Sequence, residues 1–180
     1  MEDDVKLYKK FLTGNNEAFD ILIDKYRNNL IYFIQGFVNS KDIAEDLTQD
    51  VFVYVLINRK EYDFKYSLKT YLYTIAKSRA LNYIKRERKI IPLENISEVD
   101  DEVLVEENIL HSEEKIKIHK AIKKLNPNQQ RAIYLSDIEE LSYKEICKIL
   151  GTTIPQIKMT IYRARKNLRK ILIKESESNG

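Results

Sequence analysis

Between Lys158 and Lys174 the chain carries seven lysines and arginines and no acid. Lys158, Arg163, Arg165 and Lys166 open that run, and Arg169 and Lys170 continue it. A row of this kind neutralises the phosphates of a nucleic acid. Thr153, Gln156, Met159, Thr160 and Tyr162 stand just ahead of these cations or among them. Their hydroxyl, amide and apolar groups can meet base edges. On charge alone, an ordinary basic surface helix is the alternative.

A second concentration lies at 62–88. Aromatic and basic side chains interleave there: Tyr62, Phe64, Lys65, Tyr66, Lys69, Tyr71, Tyr73, Lys77, Arg79, Tyr83, Lys85, Arg86 and Arg88. Rings stack on exposed bases while cations hold the backbone, a combination suited to single-stranded DNA. Opening a duplex costs roughly a few kcal/mol per extruded base. A protein with no nucleotide motor offsets this only by binding the open form more tightly. The 62–67 loop is then a capture site for an extruded base, and Asn82 suits a base edge. The alternative is that several of these tyrosines are core. Tyr83 is assigned there, on one stripe with Leu72 and Ile75.

The third surface is acidic. Asp42, Glu45, Asp46 and Gln49 fall on one side of a helical pattern, beside an apolar stripe that includes Phe52. Carboxylates repel DNA and suit a protein partner with basic residues. A solvated, well-capped helix start explains the same pattern.

Nothing comparable supports catalysis. His111 and His119 stand eight apart, with no metal-ligand or catalytic spacing, and no Gly-rich phosphate loop is present. The expectation is a protein that is not an enzyme and holds neither metal nor cofactor. The lone cysteine, Cys147, excludes an internal disulfide and a Cys-based zinc site. The N-terminus is too acidic and polar for a signal peptide, and the longest apolar run, Val51 to Ile57, is too short for a bilayer. A soluble, cytoplasmic protein without membrane insertion is expected.

The elements that must hold these groups are helical. Four glycines and three prolines in 180 residues leave few breakers. Phe19, Leu22, Ile23, Tyr26, Leu30, Phe33, Ile34 and Phe37 follow helical spacing. So do Ile43, Leu47, Val51, Phe52, Val55 and Leu56, with Asp42 as cap and Glu45 in capping-box position. A third pattern runs Leu68, Leu72, Ile75, Arg79 and Tyr83, with Ser67 placed to cap it. These make a helical domain over 1–88. Residues 94–114 hold nine acids and no Lys or Arg. The 89–112 segment, which contains Pro92, is read as a flexible acidic linker. An acidic tether that mimics nucleic acid or contacts a partner is the other reading.

A second helical domain is expected over 113–180. Ile116, Ile118, Ala121, Ile122 and Leu125 lead to a break at Asn126-Pro127, and another helix covers 128–138. Ser142 with Glu145 makes a capping box, Gly151 ends that helix, and Pro155 fits the first turn of the next. Ile157, Ile161, Ala164, Leu168 and Leu172 form its inner stripe. Helix, tight turn and basic second helix read as a helix-turn-helix. The fold class is all-α, two small helical domains.

These residues together resemble the extracytoplasmic-function (ECF) sigma factors of bacterial RNA polymerase. Asp42-x-Ala44-Glu45-Asp46-Leu47-x-Gln49-x-x-Phe52 is similar to the family's polymerase-binding helix. Ser67-Leu68-Lys69-Thr70-Tyr71-Leu72-Tyr73-Thr74-Ile75-Ala76, then Arg79-Ala80-Leu81-Asn82-Tyr83, resembles its promoter-melting segment. Leu141 to Ile146, and Ile157 to Arg169, resemble its upstream helix-turn-helix. The resemblance implies sigma region 2 over 1–88 and region 4 over 113–180. It implies docking on core RNA polymerase through Asp42, Glu45, Asp46, Gln49 and Phe52. It implies minus-ten contacts by Phe64, Lys65, Tyr66, Ser67, Lys69, Thr70, Tyr71, Lys77, Asn82, Lys85 and Arg86. Minus-thirty-five contacts fall to Thr153, Gln156, Lys158, Met159, Thr160, Tyr162, Arg163, Arg165 and Lys166. Promoter DNA and an anti-sigma factor are the other implied partners, and a clostridial-type branch is compatible.

Three departures stand out. Tyr71 replaces the family's usual Trp, Asn126 is inserted at the usual Leu-Pro junction, and Thr160 sits where an Arg is common, beside an unusual Met159. The rival reading is a helix-turn-helix regulator whose N-terminal helical domain dimerises or senses a ligand. It accounts for the second domain but not for the aromatic and basic stretch at 62–88.

Overall fold

Four helices build the first half. The computed structural model describes residues 3–90 and 113–178. Every regular element among them is helical, and the chain divides into two units, 1–100 and 101–180.

In the first unit, α1 (Asp4–Leu12) is capped by Asp3, whose carboxylate accepts from the Val5 N–H at 3.3 Å. Its inner face holds Leu7, Tyr8 and Phe11. Gly14, at φ +100°, reverses the chain. Asn15 caps α2 (Asn16–Val38) by accepting from Ala18 N–H at 3.1 Å. Phe19, Leu22, Tyr26, Leu30, Phe33 and Ile34 are buried along it, as the spacing predicts; Ile23 and Phe37 are half-buried, and Ala18 and Ile31 join the buried face. Asn39, left-handed at φ +52°, stops it.

The cap of α3 (Lys41–Ile57) is Ser40, which accepts from Ile43 N–H at 3.4 Å. Asp42, the expected cap, instead sits in the first turn, where its charge favours the helix dipole. α4 (Leu68–Ile90) starts at Ser67, whose hydroxyl accepts from Thr70 N–H at 3.2 Å. It takes in Lys89 and Ile90, so two residues assigned to the linker are helical, and 91–112 lies outside the described residues.

α2 packs against α1, α3 and α4, and α3 packs on α4. Rings join them: Phe11 stacks on Phe19 at 4.3 Å, Phe19 meets Phe52 edge-on at 6.3 Å, and Phe33 meets Tyr73 at 4.8 Å. Each large apolar side chain so buried stabilises the unit by about 1.5–3 kcal/mol. The buried face of α4 is Leu68, Leu72, Tyr73, Ala76 and Ala80. The expected stripe through Ile75, Arg79 and Tyr83 is rotated from this, and Tyr83 is only half-buried. The two alanines, fully buried, admit the neighbouring helix closely, and apolar size alone misses that.

The second unit comprises α5 (Glu113–Lys123), α6 (Pro127–Ile133), a π-helical turn (Tyr134–Ile138), α7 (Tyr143–Leu150) and α8 (Ile154–Ser178). Asn126 caps α6, accepting from Gln129 N–H at 3.0 Å. The inserted Asn therefore has a local reason: it starts the helix that Pro127 opens. The single helix expected over 128–138 changes at Tyr134 to a wider turn, closed by Glu139 N–H to Tyr134 carbonyl at 2.9 Å. Ile122, Leu125, Ile133 and Ala164 form a core cluster, with Leu168 and Ile171 against it.

Candidate nucleic-acid interface

In the second unit, the junction of α7 and α8 decides what faces outward. Ser142 and Glu145 make both halves of the capping box. Gly151, at φ +68°, ends α7 with its N–H donated to Cys147 carbonyl at 2.9 Å. After Thr152 and Thr153, α8 begins. Ile157, Ile161 and Ala164 are buried, as the inner stripe requires. The opposite face therefore turns out Met159, Tyr162, Arg163, Lys166, Arg169 and Lys170, all exposed.

The other residues expected to contact the upstream element have neighbours within this unit. Gln156 accepts with its carbonyl oxygen from Thr152 Oγ1 at 2.9 Å, Thr153 N–H at 3.1 Å and Thr153 Oγ1 at 3.0 Å. Those bonds go to the side-chain Oε1; Thr160 Oγ1 donates instead to the Gln156 backbone carbonyl at 2.9 Å. Lys158 lies 5.9 Å from the Tyr143 ring centroid. Arg165 grips Asp137, with Nε at 3.1 Å from one oxygen and a terminal nitrogen at 2.6 Å from the other. Burial alone would raise the Asp137 pKa, but the hydrogen bonds from Arg165 and Ser136 outweigh it and hold the carboxyl below its usual range. Arg165, expected as a DNA contact, is thus a bidentate clamp between α8 and the π-helical turn. Asp137 gave no sign of this in the sequence, since the pair is separated by 28 residues.

In the first unit, the 58–67 segment between α3 and α4 is built around Tyr62. Its ring is 4% exposed, stacks on Tyr71 at 5.1 Å and meets Tyr8 edge-on at 4.9 Å. Its hydroxyl donates to Tyr66 carbonyl at 2.8 Å. Burial, then Asp4, Asp63 and Asp3, push its pKa up to about 12. Lys65 N–H donates to Asp63 Oδ1 at 3.0 Å, and the two fold the tip. Phe64 is left-handed at φ +58°, a conformation costing an aromatic residue about 1–2 kcal/mol, and is 37% exposed. Phe64, Lys65 and Ser67 are exposed and Tyr66 is half-buried, so the segment presents four of its expected contacts.

On α4 the expected contacts divide. Asn82, Lys85 and Arg86 are exposed, and Lys69 and Lys77 are half-buried. Thr70 is 1% exposed and lies 2.9 Å from Ser67 Oγ, so it builds the helix start and offers DNA nothing directly. Tyr71 is half-buried, and its hydroxyl oxygen is buried with no hydrogen-bond partner among the described residues. Burial, then Tyr54 and Glu61, push that phenol up to about 12.

The sequence reading missed α1. Tyr8 donates to Arg59 carbonyl at 2.9 Å and lies under Tyr62 and Phe64, while Lys9 sits 5.8 Å from the Phe64 ring centroid. The only sequence signal was the Leu7, Tyr8, Phe11 spacing.

On α3, Asp42, Asp46 and Gln49 are exposed and Glu45 is half-buried, so the acidic face exists. Phe52 does not belong to it. It is 7% exposed and packs on Phe19, which makes it an anchor for α3. Among the described residues no group of three His, Cys, Asp or Glu could hold a metal, and no helix is long and apolar enough to cross a membrane.

Comparisons with known proteins identify the family. The family model "Sigma-70 region 2" matches residues 22–90, and "Sigma-70, region 4" matches 115–168. The ECF RNA polymerase sigma factor SigW of Bacillus subtilis is 28% identical over 178 residues, covering 93% of this chain and 95% of its own length. The RNA polymerase sigma-H factor of Pseudomonas aeruginosa is 25% identical over 182 residues, covering 95% and 94%. The chain belongs to the ECF sigma factors. A solved structure of the sigma factor RpoE, in complex with the anti-sigma factor NepR from Bartonella quintana, has the same fold. Its TM-score is 0.64, at 22% identity, over 87% of this chain and 97% of that one.

Sigma factors are transcription initiation factors, so the chain is not an enzyme. In this sigma factor α7 and α8 as far as Leu168 fall inside the region 4 match, and the Tyr62 segment with α4 falls inside region 2. α1 precedes the region 2 match yet packs against the segment that the match contains.

Proposed function

We propose that three separate surfaces divide the work of transcription initiation. α8 enters the major groove of the minus-thirty-five element, with Arg163 and Lys166 on DNA and Gln156, Met159, Thr160 and Tyr162 toward bases. The Tyr62–Ser67 segment captures an extruded minus-ten base, while Lys69, Lys77, Asn82, Lys85 and Arg86 hold the opened strand. Asp42, Glu45, Asp46 and Gln49 dock on basic residues of core RNA polymerase. Region 2 corresponds to 1–88 and region 4 to 113–180. An anti-sigma factor masks these surfaces until initiation is required, and the cytoplasm, where chromosome and polymerase meet, is the place of action.

The observation that carries this reading is the exposed face of α8. A tight turn sets that helix, its inner stripe is buried, and cations flank its polar and apolar groups. Core polymerase mixed with the full chain should protect both promoter elements from cleavage and make minus-ten thymines reactive to permanganate. Protection without thymine reactivity would overturn the melting role.

A further inference from the structure

Several polar groups at the base-reading positions of α8 are engaged within the protein. The Thr153 N–H can only donate, so it fixes the Gln156 amide with its oxygen turned to the turn. Gln156 is left with its NH2 alone and cannot form the two-point pair with adenine, which needs donor and acceptor together. Thr160 has its hydroxyl proton on Gln156 carbonyl. Arg165 is held by Asp137. Exposed apolar surface stands at the centre of the outward face, in the Met159 side chain and the ring of Tyr162, whose hydroxyl is its one polar group. Met159 is 49% exposed and Tyr162 is 63% exposed.

Scattered exposed apolar side chains are ordinary on protein surfaces. These two differ in position. Residues 159 and 162 are neighbours on one face, opposite the buried Ile157, Ile161 and Ala164. They lie in the first part of the helix, with Lys158, Arg163 and Lys166 beside them to hold phosphates. Of the groups that base pairs show in the major groove, only the thymine C5-methyl is apolar. We infer that Met159 and Tyr162 read thymine methyl groups, so that the upstream element of this sigma factor's promoters carries thymine at neighbouring base pairs. The inference rests on the placement of α8 in the major groove proposed above.

The test uses the full chain with core polymerase. Duplexes randomised across the upstream element are selected for binding, and thymine should be enriched at adjacent positions. Deoxyuridine, which lacks only the methyl, is then placed at each selected thymine. Binding should weaken about fourfold per methyl. Met159→Ala, a change at an exposed position, should weaken the thymine duplex and bind thymine and deoxyuridine duplexes equally at its own site. Selection of an element indifferent to deoxyuridine would overturn this inference alone. Failure to select any upstream element would overturn it together with the major-groove placement.

Discussion

Removing one oxygen atom from Tyr62 separates the role of its segment from the stability of the rest. Tyr62→Phe keeps the ring, its stacking on Tyr71 and its edge contact with Tyr8, and deletes only the 2.8 Å hydrogen bond to Tyr66 carbonyl. A net side-chain hydrogen bond contributes about 0.5–1.5 kcal/mol, and an orphaned buried acceptor costs about 1–3 kcal/mol. This bond is part-buried, so water restores some of the loss, and about 1 kcal/mol is expected. Denaturant unfolding of the variant measures that figure. Tyr62→Ala removes the whole buried ring and should cost about 3–5 kcal/mol. The functional readout is fluorescence of 2-aminopurine at the minus-ten position, set beside binding to a duplex carrying only the upstream element. Tyr62→Phe should weaken opening and leave upstream binding unchanged, because the segment and α8 belong to different units. Full opening by a variant that has lost the expected stability would show that this hydrogen bond plays no part in the proposed capture of a base.

Further outcomes follow from the same structure. Asp46→Arg, at an exposed position on α3, should abolish binding to core polymerase while circular dichroism and unfolding stay as in the wild type; retained binding would remove the acidic face from the docking surface. Gly151→Ala places a side chain at φ +68° and should destabilise the second unit by about 1–2 kcal/mol in thermal unfolding. Asp137→Asn should lower stability at neutral pH by under about 1 kcal/mol, because both partners are partly exposed and screened. The folded Asp137 pKa is lowered, so its contribution is present above the usual aspartate value, about pH 4, and disappears as pH falls through the lower folded value. Unfolding curves of wild type and variant should therefore converge at acid pH.

The two helical units, the capping box at Ser142 and the inner stripe of α8 were legible because each depends on neighbours in sequence. Spacing along one helix fixes which residues share a face. It failed for α4, where Ala76 and Ala80 line the core and Tyr83 does not, since close approach of a neighbouring helix selects small side chains. Spacing placed Phe52 on the buried stripe of α3, whereas the family motif that lists Phe52 and Thr70 as contacts carries no measure of burial. Tyr8 on Arg59 and Arg165 on Asp137 join residues 51 and 28 apart, so no local rule reaches them. Ser40 was passed over for Asp42 because either can cap a helix, and only the left-handed Asn39 before it fixes the start.

The central claim is that this chain confers promoter-specific initiation on RNA polymerase. Core polymerase alone and core polymerase with the full chain can be given the same genomic DNA library, and the 5′ ends of the transcripts sequenced. A discrete set of start sites that depends on the chain is expected, each preceded by a shared pair of elements. Transcripts with the same scattered 5′ ends in both reactions would contradict it.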